Sequence, residues 1–213
     1  MTSLESSVAR ARSLVAAAGD GRVVIGVVGA PGAGKSTLAA ALASHLGTAD
    51  AAVVPMDGFH LAHSELERLG RVERKGAPDT FDGGGFVSLL RRIVARDEDV
   101  VYAPEFRREI EDPVAGAIPV PRHVPVVIVE GNYLLLDSSP WDEVPGLLTE
   151  SWYVEAPEDV RLERLVARHV SFGRTPEAAR AHALGSDQRN AELIAASAHR
   201  AALRVDLSPT VGS

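Results

Sequence analysis

The residues best suited to chemistry lie in a glycine-rich run close to the N-terminus. The run reads Gly29-Ala30-Pro31-Gly32-Ala33-Gly34-Lys35-Ser36 and is followed by Thr37. It fits the pattern GxxxxGK[ST], follows an apolar strand pattern at 23–28 and opens a helical pattern at 35–46. In that context glycines let backbone N–H groups surround phosphates, and the helix N-terminus adds positive potential. We call residues 29–37 the phosphate loop. Lys35 is expected to neutralise the outer phosphates of a nucleoside triphosphate and the Ser36 hydroxyl to hold Mg²⁺, which suits a kinase, a switch or a motor alike.

Two acids stand at the ends of further apolar runs. Asp57 follows the run 51–56, and Glu130 follows the run 126–129. Beside a phosphate loop, Asp57 is placed to accept the proton of an attacking hydroxyl or to orient that hydroxyl. Glu130 has the position of a Walker B acid, which holds Mg²⁺. Capping of a local turn is the alternative for both acids, and His60 either touches an acceptor or packs inside the turn after Asp57.

A row of arginines lies on a helical pattern at 157–170. Arg161, Arg164 and Arg168 are three and four residues apart, so a helix presents them on one face. A basic turn, Gly173-Arg174-Thr175-Pro176, follows them. A solvated arginine face is the simple explanation of such a row. In an acidic chain with a phosphate loop we interpret it as the start of a lid, residues 172–186, that closes arginines over the transferred phosphate.

The elements that must position these groups follow from the apolar patterns. Strands buried on both faces are predicted at 23–28, 51–56, 126–129 and 152–154. Helices are predicted at 35–46, 86–96, 157–170 and 187–202, and a first helix is indicated by the spacing of Leu4, Val8, Leu14 and Val15. Strands that alternate with helices predict an α/β fold, with a central parallel sheet covered by helices on both faces.

The chain is expected to form a single domain over residues 1–213, because no long polar or proline-rich linker divides it. Two stretches, 58–85 and 102–125, interrupt the alternation with charges, glycines and prolines. We expect both to be excursions from the sheet edge that recognise the acceptor.

Composition excludes several classes of protein. With 22 basic and 29 acidic residues the net charge is -7, so a general nucleic-acid-binding face is not expected. The chain has no cysteine, which excludes disulfides, thiolate zinc sites and cysteine nucleophiles. No apolar run approaches the length of a membrane span, and residues 1–20 lack a signal-peptide core. We therefore expect a cytoplasmic protein that binds neither membrane nor nucleic acid.

Several segments, taken in order, resemble the P-loop small-molecule kinases of the uridine kinase, pantothenate kinase and phosphoribulokinase group. They are the phosphate loop, 56–61 (MDGFHL), 74–82 (RKGAPDTFD), 102–108 (YAPEFRR), 129–136 (VEGNYLLL) and the arginine helix with Asn190 beyond it. Within the group, 130–137 (EGNYLLLD) is most similar to fructokinase-like, fructose-transport-associated kinases. The resemblance covers most of the chain and implies the P-loop NTPase fold with a small lid.

The resemblance also implies roles for individual residues. Lys35, Asp57, Arg164 and Arg168 would be catalytic, and Ser36 and Glu130 would hold the metal. Gly29, Ala30, Pro31, Gly32, Ala33, Gly34, Lys35, Ser36, Thr37, Arg174 and Asn190 would bind the nucleotide. Asp57, His60, Lys75, Phe106, Arg108 and Tyr133 would meet the acceptor.

Two positions of the acceptor loop separate this chain from pantothenate kinases. Where those enzymes carry Tyr and then His, the chain has Phe106 and Arg108. Arg108 favours an acceptor with a carboxylate, a phosphate or many hydroxyls. An internal ion pair with Glu109 or Asp112 is the alternative.

The activity implied is that of a kinase that uses ATP and Mg²⁺ and phosphorylates a hydroxyl of a small metabolite, a sugar or sugar-like polyol. A pantothenate or nucleoside kinase with the same machinery is one alternative. An ATP-binding regulatory NTPase associated with transport is an alternative of another class. The small-molecule acceptor is the expected partner, and the oligomeric state, including a homodimer, is left open.

Overall fold

The computed structural model describes residues 2–207 and contains a central parallel sheet. The strands are β1 (Val23–Val28), β2 (Ala51–Pro55), β3 (Val100–Arg107), β4 (Asp112–Pro121), β5 (Val126–Gly131), β6 (Glu150–Glu155) and β7 (Leu203–Asp206). Five of them form the sheet in the order β2-β5-β1-β6-β7, while β3 and β4 pair with each other as an antiparallel hairpin.

The helices lie mainly in the connections between strands. They are α1 (Leu4–Ala18), α2 (Lys35–Leu46), α3 (His63–Arg68), α4 (Gly83–Ala95), α5 (Glu158–Ser171), α6 (Pro176–His182) and α7 (Gln188–Ser197). Short 3₁₀ turns include Met56–Phe59 after β2 and Ala198–Arg200 after α7, and a π turn, Ala183–Asp187, joins α6 to α7. Across residues 2–207 no helix has the length and apolar character that crossing a membrane requires.

Two hydrophobic cores sandwich the sheet. On one face, α1 and α2 pack side chains such as Val8 and Leu42 against alternate residues of β1 and β5. On the other face, α4 and α7 contribute Phe86 and Ile194. Every residue of β1 and β5 is buried, which explains why these strands are continuous apolar runs in the sequence. The predicted α/β fold, with a parallel sheet covered by helices on both faces, is confirmed.

The strand and helix ends differ from the prediction in two informative places. Glu130 lies inside β5, which runs to Gly131, and not after its end. The helix predicted over 187–202 is wrong in its last part, because α7 ends at Ser197 and the chain returns to the sheet as β7. Of the four residues of β7 only Val205 is fully buried, so the sequence has no apolar run that would predict this strand.

The stretch 102–125 contributes most of the β3–β4 hairpin, whose strands the sequence did not predict. Prolines are frequent in it and include Pro104, Pro113 and Pro119. Proline lacks the N–H that a ladder needs, but a two-stranded sheet has only edge strands and tolerates it. The register of the hairpin shifts between Ala103 and Glu105, around Pro104.

Candidate active site

Three neighbouring strands carry the predicted catalytic groups at one edge of the sheet. β5 lies between β1 and β2, and Glu130 is in register with Val27 of β1 and Pro55 of β2. The phosphate loop follows β1, and Asp57 stands two residues beyond Pro55. Parallel pairing therefore brings Lys35, Asp57 and Glu130 to one cavity at the carboxyl ends of the strands.

The phosphate loop has the backbone that its glycines allow. Gly32 and Gly34 have φ angles of 81° and 102°, in the left-handed region that favours glycine. A side-chain carbon at Gly32 would also lie only 2.7 Å from the carbonyl oxygen of Arg161 on α5. The ammonium group of Lys35 donates to the carbonyl oxygen of Ala30 at 3.2 Å, so the lysine is held by its own loop.

Ser36 and Glu130 form the pair of oxygens proposed for a metal. The Ser36 hydroxyl donates to Oε1 of Glu130 at 3.1 Å. Burial raises the pKa of Glu130 and the charge of Asp57 adds to this effect, while Lys35 opposes it. Burial also lowers the pKa of Lys35. The buried Glu130 carboxylate and the Ser36 hydroxyl are oxygen ligands of the kind that Mg²⁺ prefers, and a bound cation would stabilise the charged form of Glu130.

Asp57 projects from the 3₁₀ turn Met56–Phe59. His60, just after the turn, donates from Nδ1 to the backbone carbonyl of Asp57 at 2.8 Å. Its ring packs against those of Phe81 and Phe106, with centroids 4.0 and 4.8 Å away, and burial lowers its pKa. His60 also lines the cavity. The two sequence interpretations of His60 are thus compatible, because it both packs in the turn and faces the site.

The hairpin is pressed directly against the Asp57 turn. A side-chain carbon at Gly58 would overlap the backbone carbonyl of Pro104 in β3, so glycine is required for this approach. The contact brings Phe106 and Arg108, at the end of the hairpin strand and just after it, to the cavity wall.

Arg108 pairs with neither of the two neighbours that the sequence offered. Its Nη2 lies 3.7 Å from Oδ2 of Asp57. The Asp112 carboxylate instead accepts from the backbone N–H of His63 at 2.8 Å, and Glu109 is exposed. Arg108 therefore reaches across the cavity to the proposed catalytic carboxylate.

The segment around Gly76 forms the wall next to the hairpin. Lys75 faces the cavity and donates to the carbonyl oxygen of Glu111 at 2.5 Å. The Tyr133 hydroxyl donates to the carbonyl oxygen of Gly76, and the amide of Asn190 donates to the same oxygen at 3.3 Å. Tyr133 is fully buried and does not line the cavity: its hydroxyl binds the wall, and its ring packs against Phe81 and Trp141.

The arginine row on α5 is divided among three environments. Arg161 is 5% exposed and donates to the carbonyl oxygen of Pro31 at 3.5 Å, so it joins α5 to the phosphate loop. Arg164 is exposed and lies outside the cavity, near the loop. Arg168 faces the cavity, and burial lowers its pKa. Arg174 is exposed at the cavity rim.

Four lid-side residues that were not proposed as site residues also reach the cavity. They are His169, Phe172, His182 and Asp187. Nε2 of His169 and Oδ2 of Asp187 lie 2.8 Å apart, which joins α5 to the π turn, and the ring of His182 packs on that of His169. One ligand atom from each of these three residues lies within 4.8 Å of the others. The sequence offered a signal, because His169 directly follows Arg168.

The cavity has a volume of about 470 Å³. The predicted site residues that line it are Pro31, Lys35, Ser36, Asp57, His60, Lys75, Phe106, Arg108, Glu130, Arg168, Arg174 and Asn190. Gly29, Ala30 and Ala33 are buried in the phosphate loop, while Thr37 is exposed at its end. The structure therefore collects both proposed metal residues, most of the proposed acceptor residues and part of the proposed nucleotide set around one space.

Comparison with known proteins gives three informative matches, although no known family profile matches the chain. A Schizosaccharomyces pombe protein named "Putative uridine kinase C227.14" is 39% identical over 160 residues, which cover 71% of this chain and 68% of that protein. A protein named "Pantothenate kinase" from Paenarthrobacter aurescens is 34% identical over 135 residues, covering 61% of this chain and 42% of that protein. The crystal structure of a "putative fructose transport system kinase" from Silicibacter sp. TM1040 superposes with a TM-score of 0.83, at 38% identity, over 92% of this chain and 97% of that chain.

The chain is a P-loop kinase of the uridine kinase and pantothenate kinase group. The kinase is a phosphotransferase, and the resemblance that its sequence motifs indicated is confirmed. Its phosphate loop provides the site for a nucleoside triphosphate, and its cavity continues from that loop to the turn of Asp57 and the hairpin.

Proposed function

We propose that this kinase transfers the γ-phosphate of ATP to a hydroxyl group of a sugar or sugar-like polyol. The observation that carries the proposal is that the side chains of Lys35 and Asp57 line one cavity, from the ends of two strands that flank β5. A regulatory NTPase needs a phosphate loop and a metal site. It does not need a second wall of polar side chains around a carboxylate, which here comes from the hairpin and residues 58–85.

ATP and Mg²⁺ are the proposed cofactors. The phosphate loop, Arg168 and Arg174 would bind the phosphates, and the paired oxygens of Ser36 and Glu130 fit the ligand preference of Mg²⁺. When bound, Mg²⁺ would neutralise charge on the outer phosphates. Lys35 and Arg168 would add fixed positive charge around the transferred group, which is the main electrostatic contribution that a kinase makes.

Asp57 is the proposed base or orienting group for the acceptor. Its carboxylate faces the cavity, where it can accept the hydroxyl proton and align the oxygen with the γ-phosphate. The backbone of Asp57 is fixed by the hydrogen bond from His60. Phosphoryl transfer offers little covalent work to the protein, so this positioning supplies much of the rate.

A small polyhydroxylated acceptor suits the volume. The cavity of about 470 Å³ has room for an acceptor of monosaccharide size beside the terminal phosphates. The relative named as a fructose transport system kinase supports the same choice. Uridine-type and pantothenate acceptors stay as alternatives because relatives with those names share the machinery. A cytoplasmic location and a single domain over residues 1–213 complete the proposal.

The test is an acceptor screen with the purified full chain, ATP and Mg²⁺. Hexoses, pentoses, polyols, nucleosides and pantothenate are compared by coupled detection of ADP, and products are identified by mass spectrometry. Acceptor-dependent ADP release with a phosphorylated polyol is the expected result. ADP release at the same rate with and without every acceptor would replace the kinase proposal with the regulatory NTPase.

A further inference from the structure

Arg108 is the acceptor-side cation with the most unused binding capacity. A guanidinium group has five N–H donors. Within residues 2–207 its one polar contact is the ion pair with Asp57, at 3.7 Å, which is longer than a hydrogen bond. The Arg108 side chain is 37% exposed and lines the cavity, so its N–H donors are accessible to a ligand there.

Two aromatic rings hold this guanidinium in place. Its central carbon lies 5.7 Å from the ring centroid of Phe106 and 5.4 Å from that of Phe172 in the lid. Contacts of this kind orient the planar group through its faces and leave the N–H edge for a planar anion. The ammonium group of Lys75 lies 5.0 Å from the same Phe106 ring, so a second cation stands beside the first.

N–H donors on these two cations stay unfilled when an acceptor binds at Asp57. Asp57, the carboxylate nearest to Arg108, must then interact with the acceptor hydroxyl. The carboxylate of Glu111 is 3.6 Å from Lys75 but is 58% exposed, and such an ion pair contributes little. Donors of a partly buried guanidinium that find no acceptor atom are costly, and an anionic group on the acceptor would provide those atoms.

We propose that the acceptor carries an anionic group, a carboxylate or a phosphate, which Arg108 binds through its guanidinium fork with Lys75 beside it. This inference rests on the proposed kinase function and narrows its substrate class to sugar-like compounds with a negative charge. The short separation of Arg108 and Asp57 places the anionic group within a few bonds of the hydroxyl that is phosphorylated. A neutral polyol would be a poorer ligand, because Arg108 would still compete for the Asp57 carboxylate.

Binding of matched probes tests the proposal without requiring turnover. The full chain is saturated with Mg²⁺ and ADP so that the phosphate loop is filled, and it is then titrated calorimetrically. The probes are glycerol, glycerate and glycerol 3-phosphate, and ribitol, ribonate and ribitol 5-phosphate. At least one anionic probe is expected to bind at least tenfold more tightly than its neutral partner, and the acid and phosphate members distinguish the two anions. Equal binding within both series, or no binding by any anion, overturns the proposal.

Adjacent arginines provide a matched pair of variants. Arg107 pairs with Glu105 at 2.9 Å, is 54% exposed and lies outside the cavity. Arg108→Met is expected to remove the preference for the anionic probe, a loss of at least tenfold in its affinity, and Arg107→Met to retain it. Loss of the preference in both variants, or in neither, contradicts the proposal.

Kinetics separate anion binding from an effect exerted through Asp57. If Arg108 binds the anion, Arg108→Met raises the KM of the anionic acceptor and does not raise that of a neutral acceptor. If Arg108 only positions Asp57, kcat falls equally for both acceptors with unchanged KM values, and the inference is wrong. If the protein phosphorylates neutral polyols equally well with and without Arg108, the kinase proposal stands and the anionic-acceptor proposal is wrong. If no acceptor increases ADP release, the kinase proposal itself is wrong.

Discussion

Arg168→Ala gives the sharpest test of how charge is used in the site. Arg168 lies on α5, faces the cavity and is close enough to Asp57 and Glu130 for their charges to influence it. Burial and the positive charge of Arg108 lower the pKa of Arg168, so keeping this cation at the cavity costs the folded protein free energy. The attraction that offsets the cost is expected when negative charge accumulates on the transferred phosphate.

The size of the effect follows from that placement. Loss of one such transition-state contact costs about 3 kcal/mol, or roughly a hundredfold in kcat. ATP affinity in the ground state should fall less, because other phosphate contacts remain. Removal of Arg168 also relieves repulsion from Arg108, so we expect the free energy of unfolding to change by less than about 1 kcal/mol.

The assay combines turnover, binding and stability measurements. kcat and KM for ATP are measured by coupled ADP detection, ADP affinity by calorimetry, and stability by thermal melting. Arg180→Ala is the control, because Arg180 lies on α6 in the proposed lid, is exposed and does not line the cavity. A kcat for Arg168→Ala close to that of Arg180→Ala would refute the proposed role. A parallel fall in ADP affinity would show that Arg168 acts in the ground state.

The remaining predictions concern the phosphate loop, the two acids and the lid. Lys35→Ala should abolish phosphoryl transfer while circular dichroism shows an intact fold, and near-normal turnover would contradict the phosphate-loop assignment. Asp57→Asn should lower kcat by orders of magnitude with nearly unchanged ATP affinity by calorimetry, whereas collapse of ATP binding would make Asp57 a metal ligand or a structural residue. Burial raises the pKa of Glu130 in the folded protein above its ordinary 4.5. The contribution of Glu130 to folding stability therefore decreases as pH rises from 4.5 through the raised pKa. In urea unfolding without Mg²⁺ from about pH 4 to about pH 8, Glu130→Gln should gain stability relative to the wild type as pH increases, and a constant difference would disprove the shift. Residues 172–186 should exchange amide hydrogens more slowly with a non-hydrolysable ATP analogue than without it, and equal protection would remove the lid from the mechanism.

Local motifs account for the part of the site that the sequence determined. The phosphate loop is one contiguous run whose glycines, lysine and serine need only a strand before it and a helix after it. Asp57 and Glu130 were recognisable because each terminates a strand pattern, and parallel strands must bring such ends to the same edge of the sheet. The same continuous apolar runs indicated the buried parallel sheet, since only strands covered on both faces are apolar throughout.

Only the tertiary structure decided which side chains face the cavity. Arg161, Arg164 and Arg168 look equivalent in spacing, yet one lies beneath the phosphate loop, one is exposed and one lines the cavity. Helical periodicity places residues on a face but does not say what packs against each turn of that face. The sequence also could not show that Tyr133 does not line the cavity, because its hydroxyl donates to the backbone carbonyl of Gly76 in a distant segment.

Long-range pairing explains the elements and contacts that were missed. β7 is stabilised by its parallel partner β6 and carries no apolar run of its own. The Arg108–Asp57 pair joins the end of the hairpin to the end of β2, two segments separated by about fifty residues, and it depends on the close contact of Gly58 with Pro104. The sequence determined which chemical groups the chain possesses and which strand ends carry them. Packing of the hairpin, the lid and α5 determined which of those groups share one cavity, because that choice depends on contacts between residues far apart in the chain.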